Sequence, residues 1–432
     1  MRYKAEAFDI WQYLCGQIYD PLIRCRIDFV GRVDEEALRR AVTESLGTIP
    51  LMGCCFEGSG RKPYWIDRGF TGEDMIRVVE AGPDVDGEIV RAYSSRIDVG
   101  SEPPLKIILV RSGGGDTLCA IVSHLVCDGA GFKEYLYLVA ELYTKVRHGE
   151  RLPVPHRYDR STKPLYARVG PMERIRILRT PQPVYDFTLK DQCGVDFHSG
   201  ESETFMEHRT VSSEDFSSFR AFAKQNGATV NDGLMALFAR SFCRETATTH
   251  MAFTSTIDYR RFIPPGVNYG ITNYAGNCTC SLPVEPGESL QRTLTRVSSQ
   301  MRVYKTGKYS LRGAIGCDVA VRLFSFTWMK KHCAAILATP AVAFTNIGIF
   351  DVGEPGFDRT PIRSVSMTAS IKPRPYLQLS ASTYRGTCTL SCNIYGSQEE
   401  RLFVDRILDG IVEEIAGLPH KESIHTGGDG GI

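Results

Sequence analysis

Apolar and polar positions along this chain follow two periods, and they change over repeatedly. The run LIRCRIDFV alternates and carries branched and aromatic residues, which predicts a strand over Leu22–Val30. Leu38, Ala41, Val42 and Leu46 then recur at helical spacing, behind acids that suit a first turn. LMGCCFEG and KPYWID read as further strands, and DGEIVRAYSSRID as a helix. PLKIILVRSGGGDTLCAIVSH is two β-rich runs around a glycine-rich break at Ser112–Asp116, a hairpin whose second strand ends at His124. Phe132, Tyr135, Leu136, Val139, Leu142, Tyr143 and Val146 next form one helix face.

The pattern weakens from Arg147 to about Ser199, where proline and charge dominate. That stretch reads as a crossover with one short helix at PMERIRIL. Alternation resumes with a strand ending near Val211 and a helix capped by Ser212 or Ser213. A second helix follows, with Val230, Leu234, Leu237 and Phe238 on one face and Thr229 or Asn231 at its start. HMAFTSTIDYRR is a strand, YGITNYAGNCTCSLPV mixes loop and strand, and ESLQRTLTRVSSQMRVYKTG and LFSFTWMKKHCAAIL are helical. AVAFTNIGIFDV is a strand, YLQLSASTYRGTCTLSCNIYG a hairpin turning at Arg385-Gly386, and SQEERLFVDRILDGIVEEIAGL the last helix. The final stretch has no apolar pattern and reads as a disordered tail. Each half thus mixes helices with sheets that are not purely parallel, an α/β class. No internal repeat is visible.

A chain of 432 residues is long for one simple core. Its 51 basic and 50 acidic residues leave a net charge of +1, which argues against nucleic acid as the main partner. Fourteen cysteines sit largely inside apolar runs such as LMGCCF and TLCAIV, the pattern of buried reduced thiols. MRYKAEAFDIWQYL lacks the apolar centre of a signal peptide, and no apolar segment is long enough to span a bilayer. These features predict a cytoplasmic protein without a membrane span. Walker-type and dinucleotide-binding glycine loops are absent.

The stretch SHLVCDGAGFKEYLYLVAELY places a histidine where an apolar strand ends, and an aspartate where a helix begins. A rigid strand end suits a general base, and histidine titrates near neutrality. Asp128 has two readings. It orients the imidazole of His124, or it faces away and pairs with a buried cation. A carboxylate just before a glycine turn favours the second. Gly129 is read as the residue that permits the turn.

His124, Asp128 and Gly129 match the His-x-x-x-Asp-Gly motif of the chloramphenicol acetyltransferase-like superfamily, which this stretch resembles. That superfamily includes condensation domains of nonribosomal peptide synthetases, polyketide-associated acyltransferases, alcohol acetyltransferases and the plant BAHD acyltransferases. Further segments resemble it in order: GATVNDGLMALFARSF; STIDYRRF with Asp258 and Arg260; YGITNYAGN with Gly276 and Asn277; and AFTNIGIF with Thr345, Asn346 and Gly348. The resemblance spans roughly residues 5–418, and only the histidine motif is specific. It implies two similar lobes forming a pseudo-dimer with a tunnel between them. The lobes are expected at 1–165 and 201–418, with a crossover at 166–200 and the tail at 419–432. It implies that His124 deprotonates a hydroxyl or amine that attacks a thioester, and that Asp128 is structural and pairs with Arg260, with Arg261 the alternative. Asn277, Thr345 and Asn346 are expected to line the site or polarise the thioester carbonyl. The second histidine usual in peptide-forming condensation domains is Ser123 here, which favours O- or N-acyl transfer. The Asp-Phe-Gly-Trp-Gly motif of the plant branch is absent.

The expectation is therefore an acyltransferase with no bound cofactor, using acyl-CoA or acyl-phosphopantetheine as co-substrate, acyl-CoA preferred. An acyl or peptidyl carrier protein is the alternative donor, and a silent relative that only binds a ligand is a third reading. A monomer is expected, because the two-lobed site needs no second subunit. Cys278, Cys280, Cys388 and Cys392 alternate within strands rather than pairing at turns, so no metal site is expected. Cys127 is conceivable as a nucleophile, but the histidine motif explains the site without it. Arg302, Lys305, Lys308, Arg312, Lys330 and Lys331 are read as solvated helix faces, with a tunnel mouth that attracts phosphates as the alternative.

Overall fold

A computed structural model describes residues 1–60, 62–156, 159–180, 201–336, 341–350, 356–373 and 376–419. Most of the expected crossover (181–200) and of the expected tail (420–432) lies outside them.

Three sheets organise the molecule. A small antiparallel one orders β1 (Arg2–Lys4), β4 (Tyr64–Asp67) and β3 (Cys54–Glu57). A five-stranded sheet has the order β12 (Ile362–Thr368), β2 (Leu22–Phe29), β7 (Gly115–Ser123), β6 (Leu105–Ser112), β5 (Ile76–Glu80). It is antiparallel except for the β5–β6 pair. The largest sheet runs β10 (Ala275–Pro283), β9 (His250–Asp258), β11 (Val342–Ile349), β14 (Leu377–Tyr384), β15 (Thr387–Gly396). Its last strand also pairs with β8 (Glu203–Val211) and with the short β13 (Lys372–Pro373). β11 is parallel to both neighbours, so this sheet is mixed. The class is α/β with mixed sheets, as the alternation predicts. Among the described residues, no helix is long and apolar enough to cross a membrane.

Local chemistry explains the helix boundaries. Asp34 caps Glu35–Ser45 by accepting from Ala37 N–H, and Ala37, Leu38, Ala41 and Val42 turn inward. Thr229 with Asp232 forms a reciprocal capping box for Val230–Thr246, and Ser397 with Glu400 forms another for Gln398–Ala416.

Several elements go beyond the sequence pattern, among them helices Ala7–Cys15 and Arg312–Leu323, and strands β5 and β12. Arg312–Leu323 has no side-chain cap, and β5 is a five-residue run directly after a single helical turn. Signals so short carry little periodicity.

β12 matters most for the site. It comes from the second half of the chain yet pairs with β2 of the first, Thr368 opposite Arg24. Its exit is tied to the large sheet through Met367 N–H to Ser382 Oγ (3.2 Å) and Ala369 N–H to Ser380 Oγ (3.4 Å). The cores exchange residues likewise. Phe326, Met329, Phe350 and Phe357 enter the core around β2 and β7, while Phe8, Leu165 and Tyr166 enter the core of the second half.

Candidate active site

β7, the central strand of its sheet, ends at Ser123 and delivers His124 just beyond its last residue. Leu22 lies opposite Ser123, and the next step holds the histidine through its own N–H, which donates to Pro21 O at 2.7 Å. The chain then turns through Leu125, Val126 and Cys127, all buried, and enters the helix Gly129–Arg147. That helix buries Phe132, Tyr135, Leu136, Val139, Leu142 and Tyr143, each worth about 1.5–3 kcal/mol, so the turn stands on a rigid base.

Asp128 is the N-cap. One carboxylate oxygen accepts from Gly131 N–H (2.8 Å) and the other from Tyr274 N–H (2.7 Å). Arg260 grips the same two oxygens in a fork, at 2.8 and 3.0 Å. The carboxylate therefore faces the arginine. Burial alone would raise its pKa, but Arg260 and the two N–H donors outweigh that and hold it below the ordinary carboxylate value. Arg260 also donates to Thr272 O (2.9 Å) and Asp258 (3.2 Å). Arg261 is not the partner; its guanidinium lies over the Phe262 ring.

Gly129 does not supply a special backbone angle. It is the first helical residue, has no positive φ, and a Cβ there would only touch Ile347 at 3.4 Å. The turn comes instead from extended Asp128 acting as a cap (φ −89°, ψ −177°). The crowded glycine is Gly131, where a Cβ would lie 2.8 Å from Thr272 O and 3.0 Å from Cys127 Cβ.

Asn273 is the residue that sequence reasoning missed. It is fully buried, and its Nδ2 lies 3.0 Å from His124 Nδ1 and 3.1 Å from the His124 carbonyl oxygen. Ala275 N–H donates to its Oδ1 (3.1 Å), which turns the amide nitrogen towards the histidine. The imidazole also bonds its own carbonyl. A bare Nε2, the form a base needs, requires the proton on Nδ1, directed at that carbonyl, and the Asn273 amide nitrogen then donates to the His124 carbonyl oxygen and not to Nδ1. Nε2 has no hydrogen-bond partner among the described residues. Protein surrounds the ring, yet part of the residue's surface remains accessible. Burial lowers its pKa below the ordinary 6.5, Asp128 and the carbonyl bond oppose this, and Lys372 adds to the lowering. The neutral imidazole is thus favoured over the imidazolium.

The other expected residues have local partners of their own. Asn277 is exposed on β10 opposite Thr256. Thr345 Oγ1 meets Thr256 Oγ1 at 3.0 Å, and Asn346 Oδ1 accepts from Gly348 N–H (2.9 Å) across a bulge. None of the three makes a described hydrogen bond to His124. That bulge does reach the motif helix, since Lys133 Nζ donates to Ile347 O (2.8 Å) and Ile349 O (3.0 Å). Ser123 is fully buried with its Oγ towards Leu125 N–H (3.4 Å). Cys127 is sealed and burial pushes its thiol far up, which disfavours a thiolate. Lys305 bonds Asp232 (2.6 Å), Lys308 bonds Glu173 (2.9 Å), and Lys330 lies over the Tyr13 ring, so these cations have local partners. On the large sheet, three strands separate Cys278 and Cys280 of β10 from Cys388 and Cys392 of β15.

Solved structures with the same arrangement of strands and helices settle the fold. The first condensation domain of the calcium-dependent antibiotic synthetase superposes with a TM-score of 0.67 at 15% identity, covering 97% of both chains. The chain has the fold of this condensation domain. Polyketide synthase associated protein 5 from Mycobacterium tuberculosis is similar at a TM-score of 0.66 and 16% identity, over 95% of this chain and 97% of that one. Trichothecene 15-O-acetyltransferase from Fusarium sporotrichioides is similar at 0.68 and 13%, over 95% of both. No protein-family model and no curated protein matches the sequence.

Proposed function

We propose that the protein transfers an acyl group from an acyl thioester, acyl-CoA preferred, to a hydroxyl or amine of a small-molecule acceptor. The observation that carries this reading is a half-buried His124 whose Nε2 has no hydrogen-bond partner among the described residues, and which is fixed from behind by Pro21 O at its N–H and by Asn273 at its carbonyl. Nε2 takes the proton of the acceptor O–H or N–H as that atom attacks the thioester carbonyl carbon. The C–S bond of the tetrahedral intermediate then breaks, the carbonyl re-forms, and the imidazolium returns its proton to the leaving thiolate. The products are the acylated acceptor and the free thiol. Asp128 and Arg260 do not move protons in this scheme. They neutralise each other behind the turn and hold the strand end against residues 272–274.

Ser123 supports transfer with a single histidine, since its hydroxyl is buried and turned to the backbone. The test incubates the protein with a panel of acyl-CoAs and of alcohols and amines, reading products by mass spectrometry. Acylated product is expected. Product only when the acyl group is loaded on a carrier protein would replace acyl-CoA as the donor, and no product with either donor would overturn the reading.

A further inference from the structure

Lys372 is a buried lysine that forms no ion pair among the described residues. Its place follows from the strand register. β12, β2 and β7 lie side by side, with Thr368 opposite Arg24 and Leu22 opposite Ser123. The chain leaving β12 therefore runs on past Leu22, alongside the segment that ends at Pro21 and receives the His124 N–H. Lys372 sits four residues beyond Thr368, in β13, and its Nζ lies 3.2 Å from the centre of the Tyr19 ring. His124 and Lys372 thus flank the same short segment, Tyr19–Pro21. The electrostatic influence of Lys372 on the imidazole places both groups in one neighbourhood.

The residue is 7% exposed. Among the described residues no carboxylate forms an ion pair with it, and no oxygen accepts a hydrogen bond from its Nζ. The nearby acid, Asp20, is held by Arg24 at 2.6 Å. An aromatic face offsets only part of the cost of burying an ammonium. Lysines are almost never this buried unless paired, and an anion small enough to reach the site is the partner that would hold this one in its charged form.

We propose that Lys372 anchors a carboxylate of the acceptor, so that the substrate class is a hydroxy acid or amino acid. This rests on the acyl-transfer reading above. A single ammonium matches a single carboxylate. A thioester donor keeps its phosphates at the far end of the pantetheine arm, away from the reacting carbonyl, so an anion close to His124 belongs to the other substrate. Pairing with Lys372 fixes one end of the acceptor while its nucleophile reaches Nε2.

The test uses aliphatic and aromatic hydroxy acids, each beside its methyl ester. Two readouts are taken: acyl transfer from acyl-CoA, and the shift in melting temperature without donor. Wild type is expected to prefer acids by on the order of tenfold or more in kcat/KM, and to be stabilised by acids alone. Lys372→Met, which keeps the side-chain length without the charge, is expected to lose both preferences, and Lys372→Arg to retain part of them. Transfer without a preference for acids, or an acid preference that survives in Lys372→Met, overturns the anchor and leaves acyl transfer standing. Stabilisation by acids that Lys372→Met abolishes, with no transfer to any acceptor, upholds the anchor and overturns acyl transfer. No stabilisation by any acid in wild type overturns the anchor.

Discussion

At the scale of single residues, the site rests on how each polar group is satisfied. Asp128 and Arg260 are both buried, and their fork is closed by backbone partners on either side. Asp128→Ala leaves the guanidinium without its main counter-charge, and a loss of about 3–5 kcal/mol is expected in denaturant unfolding. Because the Asp128 carboxyl is held below its unfolded value, the stabilisation is present above that value and is lost as pH falls through the folded pKa. Asn273 controls a different quantity. Asn273→Asp sets a carboxylate against His124 Nδ1, which favours the imidazolium, so the acidic limb of the rate profile is expected to move to higher pH. An unmoved limb would deny Asn273 that role. Lys372 has the opposite sign from Asp128. Burial pushes it from 10.5 down to about 7, against smaller opposing contributions from Cys15 and Asp20. Below the folded pKa the cost of burying the charge is fully present, and it is relieved as pH rises towards the unfolded value. Lys372→Met is therefore expected to stabilise the fold by roughly 1–3 kcal/mol at pH 6, with the gain shrinking towards pH 10. A gain independent of pH would show that the charge is not the cause.

At the scale of elements, much is legible in the sequence. The hairpin ending at His124, the amphipathic helix after it and the capped helices of the second half all have strong periods or cap residues, and they form where the pattern puts them. The Asp128 cap can be read because an acid before a helix has a local reason to be there. Asn273 cannot. It lies in a loop 149 residues from His124 along the chain, and nothing in YGITNYAGN marks one asparagine above the other. The sequence resemblance points to Asn277, which is exposed. Lys372 is hidden for the same kind of reason, since burial of a lysine depends on the path of β12 and not on its neighbours in sequence. The glycines show the limit from the other side. Gly129 stands out in the motif, but contact across elements makes Gly131 the crowded one, with Thr272 and Cys127 on either side. Gly131→Ala is accordingly expected to lower the melting temperature more than Gly129→Ala, a comparison that thermal unfolding settles.

For the whole molecule, the exchange between halves is the governing feature. β12 completes the sheet that carries His124, Arg260 and Asn273 reach the motif turn from the second half, and each core takes side chains from the other end of the chain. Packing shared in this way couples the halves, so calorimetry is expected to show one unfolding transition. Two separate transitions would mean that the halves are stable apart.

The most direct test of the account is the pH dependence of kcat/KM for acyl transfer, measured for wild type and His124→Ala. The wild-type rate is expected to fall on the acidic side, with its limb below the ordinary histidine value of 6.5, and the variant to lose about 10²–10⁴-fold. Equal rates in the two proteins would contradict it.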